Sequence, residues 1–562
     1  MNTFLKIKNM KHLILLLVMT PLVGHSQILF DWANSIGNTN LDQINAMSVD
    51  NNGNSYSAGA FQGTIDFDPS ASVYNMTANG TSDIYILKLD NQGNFVWAIQ
   101  MGGSSADAAI DIECDNDGNI LLTGSFRGPA DFDPTIGTFT LSSAGGDDPF
   151  IAKYTSNGTL IWAKSISAPS TSEAGIAVTV DSIGNVYSSG FYWGTADLDP
   201  STNSFNVTSL GNRDIYIQKL DSSGNFLWGS SIGGSALDYV ESIELDNLNN
   251  LIIGGYFNNS CDFDGSTNNS FLTSFGNDDA FLCKYNSLGN YVWSKQFGGG
   301  SSDNCRSLSI DSDNNIYFIG TYSGTADFDP NTGTFNLTTA IATSFMAKVD
   351  SSGTFLWANS MNIDYIEYIT VDNYSIYTTG NFTGTVDFDP GTGTLNLTSQ
   401  AGSDIFISKL DSSGMLNWAK SMPSNTGSVG DVIKVGPNNS IYVVGEYADT
   451  CDFDIGSNVF NLISNGNKDI FIAKYNEETL SVNQINNPNA VINIFPNPVE
   501  KLLNINTQII INKVVISDIS GRIIKSFSSN TKKINVSDLK NGIYILQLYS
   551  KDNISTQKFI KQ

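Results

Sequence analysis

The sequence predicts an all-β chain: a seven-bladed β-propeller closed by its N-terminal strand, followed by a small Ig-like β-sandwich. Three markers predict the propeller, because each recurs seven times at a spacing of about 65 residues. The first is an acidic tetrapeptide, the second is a lysine within an alternating apolar segment, and the third is a tryptophan within a β-rich segment. Their agreement indicates seven copies of one structural unit.

The markers can be followed along the printed sequence. The tetrapeptide has the form Asp-x-Asp-x, most often with proline last, and its copies begin at Asp66, Asp131, Asp197, Asp262, Asp327, Asp387 and Asp452. The lysines are Lys88, Lys153, Lys219, Lys284, Lys348, Lys409 and Lys474. The tryptophans are Trp32, Trp97, Trp162, Trp228, Trp293, Trp357 and Trp418, which leaves only Trp193 outside the series.

Each unit carries the pattern of two hairpins. Residues 83–89 are rich in β-forming side chains, residues 90–93 have turn chemistry and residues 94–97 resume a strand. The turn at residues 50–54 predicts a second hairpin. Two hairpins give four strands, which is the size of one propeller blade. The extra length around the acidic tetrapeptide predicts a further short strand and loop.

The two ends of the repeat region complement each other. The region begins with a tryptophan strand at residues 28–33, and its last unit stops after the lysine strand at residues 470–475. If the N-terminal strand completes the seventh blade, no blade keeps an unpaired edge. An open solenoid would need capping units, and the sequence shows none. We therefore expect a closed ring over residues 27–476.

Residues 1–26 have the layout of a secretory signal peptide. Lysines at positions 6, 8 and 11 precede an apolar run at residues 13–23, which is too short to cross a bilayer. Gly24 and Ser26 are the small residues expected just before a cleavage site, so we expect cleavage after Ser26. The mature chain would then have no membrane span of its own.

Composition limits the chemistry of the mature chain. Both histidines, His12 and His25, leave with the signal peptide, which removes the usual general base and a common metal ligand. The five cysteines have no C-x-x-C spacing, so a zinc knuckle or a redox motif is not predicted. At most two disulfides could form, and their pairing cannot be read from the spacing.

Charge divides the chain into two parts. Residues 27–490 hold 51 acidic against 15 basic side chains, whereas residues 491–562 hold 4 acidic against 10 basic. The acidic body argues against binding to nucleic acid, because phosphates would be repelled. Its simplest role is to keep an exported protein soluble.

Two motifs link the repeats to a known family. Gly-Asn-x-Tyr-x-x-Gly-x-Phe stands at residues 53–61, and Asp-x-Phe-Ile-Ala-Lys stands at residues 148–153 and 469–474. Together they resemble the bacterial β-propeller repeat family called SBBP, over about residues 28–476. The resemblance implies a propeller, and the family supplies no common ligand or activity.

The C-terminal segment follows an Asn-rich stretch, residues 477–490, which we interpret as a linker. Alternating apolar runs over residues 491–562 predict the small β-sandwich. The segment resembles the type A sorting domain of the type IX secretion system of Bacteroidetes. The residues that carry this resemblance are Pro496, Asn497, Pro498, Gly521, Arg522, Gly542, Tyr544 and Lys558. The resemblance implies the type IX machinery as a partner, removal of the segment, and a secreted or outer-membrane surface location after periplasmic transit.

The aspartate pairs are candidate calcium ligands, because alternate residues of a strand share one face and calcium prefers several oxygen ligands. The candidates are Asp66 and Asp68, Asp131 and Asp133, and Asp327 and Asp329. The alternative is a turn in which aspartate side chains accept backbone N–H bonds. We favour the turn, expect only weak calcium dependence and predict no other cofactor.

Function is expected where the repeat symmetry breaks. After the Gly-x-Phe strands, Arg127 and the pair Tyr192 and Trp193 depart from the small or polar residues of the other units. Tyr192 and Trp193 would suit stacking on a sugar ring, so these three residues are the candidate ligand-binding set.

The sequence favours a binding or scaffolding protein with no catalysis of its own. Its ligand would be a glycan or a protein. The alternative is a propeller-based enzyme that degrades polysaccharides with a carboxylate acid and base. No unrepeated carboxylate pair favours the enzyme, so no catalytic residue is assigned. Ligand identity, physiological role, and release against anchoring are left open.

Overall fold

The computed structural model describes residues 27–40, 42–168, 172–266, 268–478, 493–507, 511–518, 523–528, 531–549 and 554–562. Clustering by contact separates residues 28–477 from a second compact unit that contains the described residues from 493 onwards. The predicted signal peptide, and all of the predicted linker beyond residue 478, lie outside the described residues. Within the described part of the chain, no helix combines the length and apolarity needed to cross a membrane.

The described residues are almost entirely strands and turns. The strands up to residue 262 are β1 (Gln27–Ile36), β2 (Gln43–Val49), β3 (Ser55–Phe61), β4 (Thr64–Asp66), β5 (Asn75–Thr77), β6 (Asp83–Leu89), β7 (Phe95–Gly103), β8 (Ala108–Cys114), β9 (Ile120–Asp131), β10 (Thr140–Tyr154), β11 (Leu160–Ser165), β12 (Ala174–Val180), β13 (Val186–Tyr192), β14 (Thr195–Asp197), β15 (Asn206–Thr208), β16 (Asp214–Leu220), β17 (Phe226–Gly234), β18 (Asp238–Leu245) and β19 (Leu251–Asp262). The next are β20 (Phe271–Tyr285), β21 (Tyr291–Gly299), β22 (Ser307–Ile310), β23 (Ile316–Asp327), β24 (Asn336–Val349), β25 (Phe355–Ser360), β26 (Tyr365–Asp372), β27 (Ser375–Asp387), β28 (Asn396–Asp411), β29 (Leu416–Met422), β30 (Val429–Gly436), β31 (Ser440–Tyr447), β32 (Thr450–Asp452), β33 (Asn461–Ile463) and β34 (Asp469–Glu478), with one 3-10 turn at Pro437–Asn439.

Each repeat pairs four antiparallel strands in chain order. Repeat units 1 to 6 are β2-β3-β6-β7, β8-β9-β10-β11, β12-β13-β16-β17, β18-β19-β20-β21, β22-β23-β24-β25 and β26-β27-β28-β29. Repeat unit 7 has the order β30-β31-β34-β1, so its fourth strand comes from the N-terminus of the repeat region. The first strands of successive units contact one another, and β30 of unit 7 also contacts β2 of unit 1.

Apolar side chains on both faces of the strands pack between neighbouring units. One core cluster, for example, joins Ile84 and Ile86 of unit 1 to Ile112 and Leu122 of unit 2. Strands buried on both faces read as nearly continuous apolar runs, such as β6, in which every residue is buried.

In every unit the marker lysine, the marker tryptophan or both connect the unit to the next. Lys88 and Trp97 lie opposite each other on β6 and β7. Both donate to the backbone oxygen of Ser156, in the last turn of unit 2, at 3.0 and 3.3 Å. Lys474 and Trp32 of unit 7 donate in the same way to the backbone oxygen of Asn91 in unit 1, at 2.8 and 3.3 Å.

Unit 7 has no such turn, because β34 and β1 are not consecutive in the chain. At the equivalent position, Glu477 presents its buried carboxylate to unit 6. It accepts hydrogen bonds from Lys409 at 2.6 Å, Trp418 at 3.2 Å and Tyr377 at 2.9 Å. Strand β34 thus continues to residue 478, two residues into the segment interpreted as a linker, and Glu477 supplies the acceptor for the marker lysine and tryptophan of unit 6.

The C-terminal unit contains two antiparallel sheets. Its strands are β35 (Asn493–Phe495), β36 (Leu502–Asn506), β37 (Lys513–Asp518), β38 (Ile523–Ser528), β39 (Lys533–Asn535), β40 (Gly542–Tyr549) and β41 (Ile554–Lys561). The sheet orders are β35-β36-β39 and β38-β37-β40-β41. Leu503 and Ile534 of the first sheet share one core with Val514 and Leu546 of the second.

Candidate functional site

The first strands of the seven repeat units surround a cavity of about 340 Å³, which we call the central channel. Each of these strands contributes lining residues, and unit 5 adds Arg306, which directly precedes β22. Six of the strands contain a register shift, and the residue within the shift lines the channel in each of them. A bulge of this kind re-aims a side chain without ending the strand.

The residues at the equivalent bulge positions differ from unit to unit. In chain order they are Asn45, Ile110, Ile176, Glu241, Arg306, Glu367 and Asp431. Units 1 to 3 are thus uncharged at this level of the channel, whereas units 4 to 7 all carry a charge. The fold does not explain this difference in side chains, because all seven positions are structurally equivalent.

A second group of charges lies further along the same strands. Asp111 and Glu113 on β8, Glu244 on β18 and Lys434 on β30 all line the channel. Lys434 lies 4.0 Å from Glu113 and 5.0 Å from the centre of the Tyr368 ring. In the bulge group, Arg306 forms an ion pair with Glu367. Six carboxyl groups therefore share the channel with two basic side chains.

The environment of the channel disfavours the charged form of its acidic side chains. Burial raises the pKa of Asp111, Glu241 and Glu244 to about 7. It also raises the pKa of Glu367 and, further, that of Asp431. Near neutral pH Asp111, Glu241 and Glu244 are poised between charged and neutral forms, so a cation entering the channel would favour their charged form.

Lys434 responds in the opposite direction. Burial disfavours its charged form, but Tyr368, Glu113 and Glu244 together raise its pKa above the ordinary value. The ammonium group is therefore held as a fixed positive charge, and it neutralises part of the acidic wall.

The candidate calcium ligands hold turns in the structure. Asp66 accepts backbone N–H bonds from Asp68 at 3.1 Å and Tyr74 at 2.7 Å, and Asp68 accepts one from Ser70 at 2.9 Å. The equivalent bonds recur around Asp131 with Asp133 and around Asp327 with Asp329. In the part of the chain that the structure describes, no three acidic or cysteine side chains are arranged to hold a metal ion. The five cysteines are all free thiols.

Tyr192, one of the three candidate ligand-binding residues, lies in the core of its repeat unit. Its ring is fully buried, and its hydroxyl lies 2.8 Å from the Ser231 hydroxyl. Tyr192 occupies the place of the core residue Phe61, so only the next residue, Trp193, departs from the repeat, and Trp193 is 45% exposed.

Arg127 is exposed as expected, but its guanidinium is occupied. It makes two bonds of 2.8 Å to the Asp147 carboxylate. The structure thus does not bring Arg127, Tyr192 and Trp193 together as one surface.

The landmarks of the C-terminal segment meet at its last strand. The Asn497 side chain donates to the backbone oxygen of Lys558 at 3.1 Å and accepts from the Ile560 N–H at 2.9 Å. Tyr544 stacks on Phe559 with 5.6 Å between ring centres. The Pro-Asn-Pro entry and the terminal strand therefore form one structural feature, while Gly521 and Arg522 lie outside the described residues.

Family models match two parts of the chain. A secretion system C-terminal sorting domain matches residues 493–562, and the β-propeller repeat SBBP matches residues 292–325. Both resemblances noted in the sequence are therefore confirmed.

Individual relatives are distant. The chain is 26% identical over 533 residues to "Uncharacterized WD repeat-containing protein L264" of Acanthamoeba polyphaga mimivirus, covering 79% of this chain and 38% of that protein. Sqt1 of Saccharomyces cerevisiae shares 9% identity at a TM-score of 0.36, over 79% of this chain and 99% of Sqt1. PorZ of Porphyromonas gingivalis, described as a surface component of the type-IX secretion system, shares 10% identity at a TM-score of 0.17, over 96% of this chain and 100% of PorZ.

Proposed function

We propose that residues 28–477 act as an extracellular binding module. The proposal starts from two facts: the chain carries a β-propeller repeat, and its type IX C-terminal sorting domain directs it to the cell surface or the medium. The module is a seven-bladed propeller closed by its N-terminal strand, and its ligand enters the central channel. It binds without turnover.

Three features of residues 28–477 support the closed ring. Strand β1 pairs with β34, β30 contacts β2, and the marker residues of unit 7 bond to the last turn of unit 1. The last contact repeats the one that joins unit 1 to unit 2. In a closed ring every unit has a neighbour on both sides, which leaves only short, protected sheet edges.

The observation that carries the binding proposal is the change in charge around the bulge positions. Packing alone would allow similar side chains at the bulge positions of all seven units, yet ionisable side chains occupy these positions in units 4 to 7 only. With six carboxyl groups against two basic groups, the channel is complementary to a small cation, such as an organic ammonium ion. The relatives named above carry no enzymatic name, and the acids of the channel serve as a charged lining.

The test uses the mature protein, residues 27–562, in isothermal titration with putrescine, spermidine and a neutral oligosaccharide of similar size. We expect the ammonium ions to bind and the double variant Glu241→Gln and Glu244→Gln to bind them at least about tenfold more weakly, which corresponds to about 1.4 kcal/mol. Asp68→Asn, on an outer turn, is the matched control and should leave binding unchanged.

Equal ammonium binding by the wild type and the double variant would contradict a channel site. So would a glycan array in which the protein retains a neutral glycan and the double variant retains it equally well. Consumption of the bound ligand over time would contradict binding without turnover.

A further inference from the structure

Acidic side chains also meet at the junctions between repeat units, away from the central channel. At five of the seven junctions, an acid on the third strand of one unit faces an acid before or at the start of the first strand of the next. We call these the junction pairs: Asp469 and Asp42, Asp83 and Asp107, Asp148 and Glu173, Asp214 and Asp238, and Asp279 and Asp303. All ten residues are at most 2% exposed.

One backbone bond sets the geometry of the junctions. The N–H of Asp303 donates to the backbone oxygen of Asp278, the residue before Asp279, at 2.7 Å. The same bond forms from Asp238 to Arg213 and from Asp107 to Ser82. It fixes the two acids side by side, whatever the rest of each unit does.

The two carboxyl groups of a pair face a common point. Oδ1 of Asp279 and Oδ2 of Asp303 each lie 2.9 Å from the position that a Cβ of residue 298 would occupy. Glycine is required at this position because a side chain would collide with both carboxyl groups. Gly102 has the same place between Asp83 and Asp107.

The pairs contain oxygens that receive no hydrogen bond. Oδ2 of Asp279 accepts from the N–H of Phe275 at 3.0 Å and from Gln296 at 2.6 Å, whereas its buried Oδ1 has no donor. Among the other pairs, Oδ1 of Asp214 and Oδ1 of Asp469 are likewise without a donor. An unpaired buried carboxylate oxygen is costly, so these three sites require a positive group or a proton.

We propose that the junction pairs with such an oxygen, Asp279 with Asp303, Asp214 with Asp238 and Asp469 with Asp42, each share one proton, so that one carboxyl group is neutral and donates its O–H to the carboxylate of the other. The unpaired oxygen then becomes a donor, and the junction carries one negative charge instead of two. The proton comes from solvent when the chain folds, and no bond other than this O–H is formed.

The two remaining junctions support this charge count. There a serine replaces one acid, giving Ser344 with Asp364 and Asp404 with Ser428. A hydroxyl and a single carboxylate also carry one negative charge. A pair that shares a proton therefore has the same charge as these two junctions.

A proton fits the pairs better than a divalent cation does. Calcium takes six to eight oxygen ligands, and each pair offers two carboxyl groups. The described part of the chain has no third acidic or cysteine side chain placed to complete such a site.

The pKa values have the direction that a shared proton requires. Burial raises the pKa of Asp42 and Asp148 to about 6, of Asp214, Asp238 and Asp303 to about 7, and of Glu173 to about 8. Other titratable groups also lie near the pairs. Asp147 lies beside three members, Asp107, Asp148 and Glu173, and Asp278 lies beside Asp279 and Asp303. Glu446 lies beside Asp42, Arg213 beside Glu173, and Cys261 beside Asp238.

The sign of the pH effect follows from these raised values. An unfolded aspartate has a pKa of about 4, so between about pH 4 and pH 8 the folded state binds more protons than the unfolded state. The stability of residues 28–477 should therefore fall as pH rises through the folded pKa values near 6 to 8.

The test follows unfolding of the mature protein in urea at several pH values by tryptophan fluorescence. All eight tryptophans lie within residues 28–477, so the signal reports this unit alone. The slope of the unfolding free energy against pH counts the protons bound on folding. We expect the slope of Asp303→Asn, and independently of Asp279→Asn, to be one proton smaller than the wild type, because the amide replaces the shared proton. Asp364→Asn, where the partner is Ser344, should keep the wild-type slope.

Infrared spectra at pH 7 provide a second readout. We expect the C=O band of protonated carboxyl groups in the wild type and a weaker band in Asp303→Asn. Unchanged slopes in both pair variants, or no protonated band, would overturn the shared proton. A rise in stability on adding calcium, reversed by a chelator and lost in Asp303→Asn, would overturn it in favour of a metal site.

Discussion

Position within the repeat, rather than residue type, decides what a side chain does in this protein. Tyr192 was a candidate ligand residue by type, yet it takes the core place of Phe61. Glu477 was assigned to a linker by its Asn-rich surroundings, yet it substitutes for a turn carbonyl. Aligning the units residue by residue, by counting forward from the marker lysine or the Gly-x-Phe motif, would assign both residues to these positions from the sequence.

Replacing Glu477 by alanine should strongly destabilise residues 28–477. The Lys409 ammonium would lose its buried partner, and removing one member of a buried ion pair costs about 3 to 5 kcal/mol. Urea unfolding followed by tryptophan fluorescence measures the loss. Arg127→Ala is the matched control, because its pair with Asp147 is exposed to solvent and should contribute little to stability. Equal effects of the two substitutions would show that Glu477 has no special role.

Tyr192→Phe tests the reassignment of that residue. We expect a loss of about 1 kcal/mol in the free energy of unfolding, because the half-buried Ser231 hydroxyl loses its partner. Trp193→Ala should change stability little, since the ring is largely exposed. If Tyr192→Phe leaves stability unchanged but weakens ligand binding, the original assignment to a binding surface was correct.

At the scale of strands and turns, much of the architecture could be predicted from the sequence. The two hairpins of each unit follow from period-two apolar patterns and Asp-containing turns. Asp50 indeed accepts the N–H groups of Asn52 and Asn54. The short strand predicted near the acidic tetrapeptide is present as β4, and the tetrapeptide itself forms the turn that we favoured.

The meeting of distant side chains could not be predicted in this way. The junction pairs and the channel charges join residues of different units, and each half appears in the sequence as an ordinary solvent-facing acid. Only the closeness of two units turns Asp279 and Asp303 into a pair. Pattern reading detects which face of a strand is buried, but not what it is buried against.

Deleting residues 27–36 should destabilise the repeat module and promote aggregation. The deletion removes β1 and leaves one edge of β34 unpaired. It also removes the contacts of Trp32 and Asn34 with the last turn of unit 1. Thermal unfolding and size-exclusion chromatography are the measurements. An unchanged melting temperature and a monomeric elution would contradict the proposed closure by the N-terminal strand.

At the scale of the whole molecule, charge separates two roles. The acidic repeat region contrasts with a basic C-terminal segment that matches a sorting domain. In that segment the Asn497 side chain bonds to the backbone of the last strand, so the Pro-Asn-Pro entry and the last strand support each other.

A protein ending at Val482 should fold normally but remain in the periplasm, because it keeps β34 and Glu477 and lacks the sorting domain. Fractionation of a host with type IX machinery measures its location. A second truncation ending at Asn476 lacks Glu477 and should also be less stable. Surface delivery of the Val482 truncation would contradict the role of residues 493–562.

The reciprocal prediction concerns the segment alone. Residues 479–562 fused to a signal-bearing reporter should carry the reporter to the cell surface or the medium of the same host. The control fusion carries Asn497→Ala, which breaks the bonds to the terminal strand and should reduce delivery. Retention of both fusions in the periplasm would show that the segment is not a sufficient signal.

Pairing of β1 with β34 also constrains the order of events during synthesis. Ser35 on β1 contacts Asp469, 434 residues further along the chain, so the earliest described strand to be made must wait for nearly the last strand of its module. Contacts of such long sequence separation form slowly. While the chain is emerging, β1 has no partner to fold with. The repeat module can therefore be completed only after both of its ends have reached the same compartment.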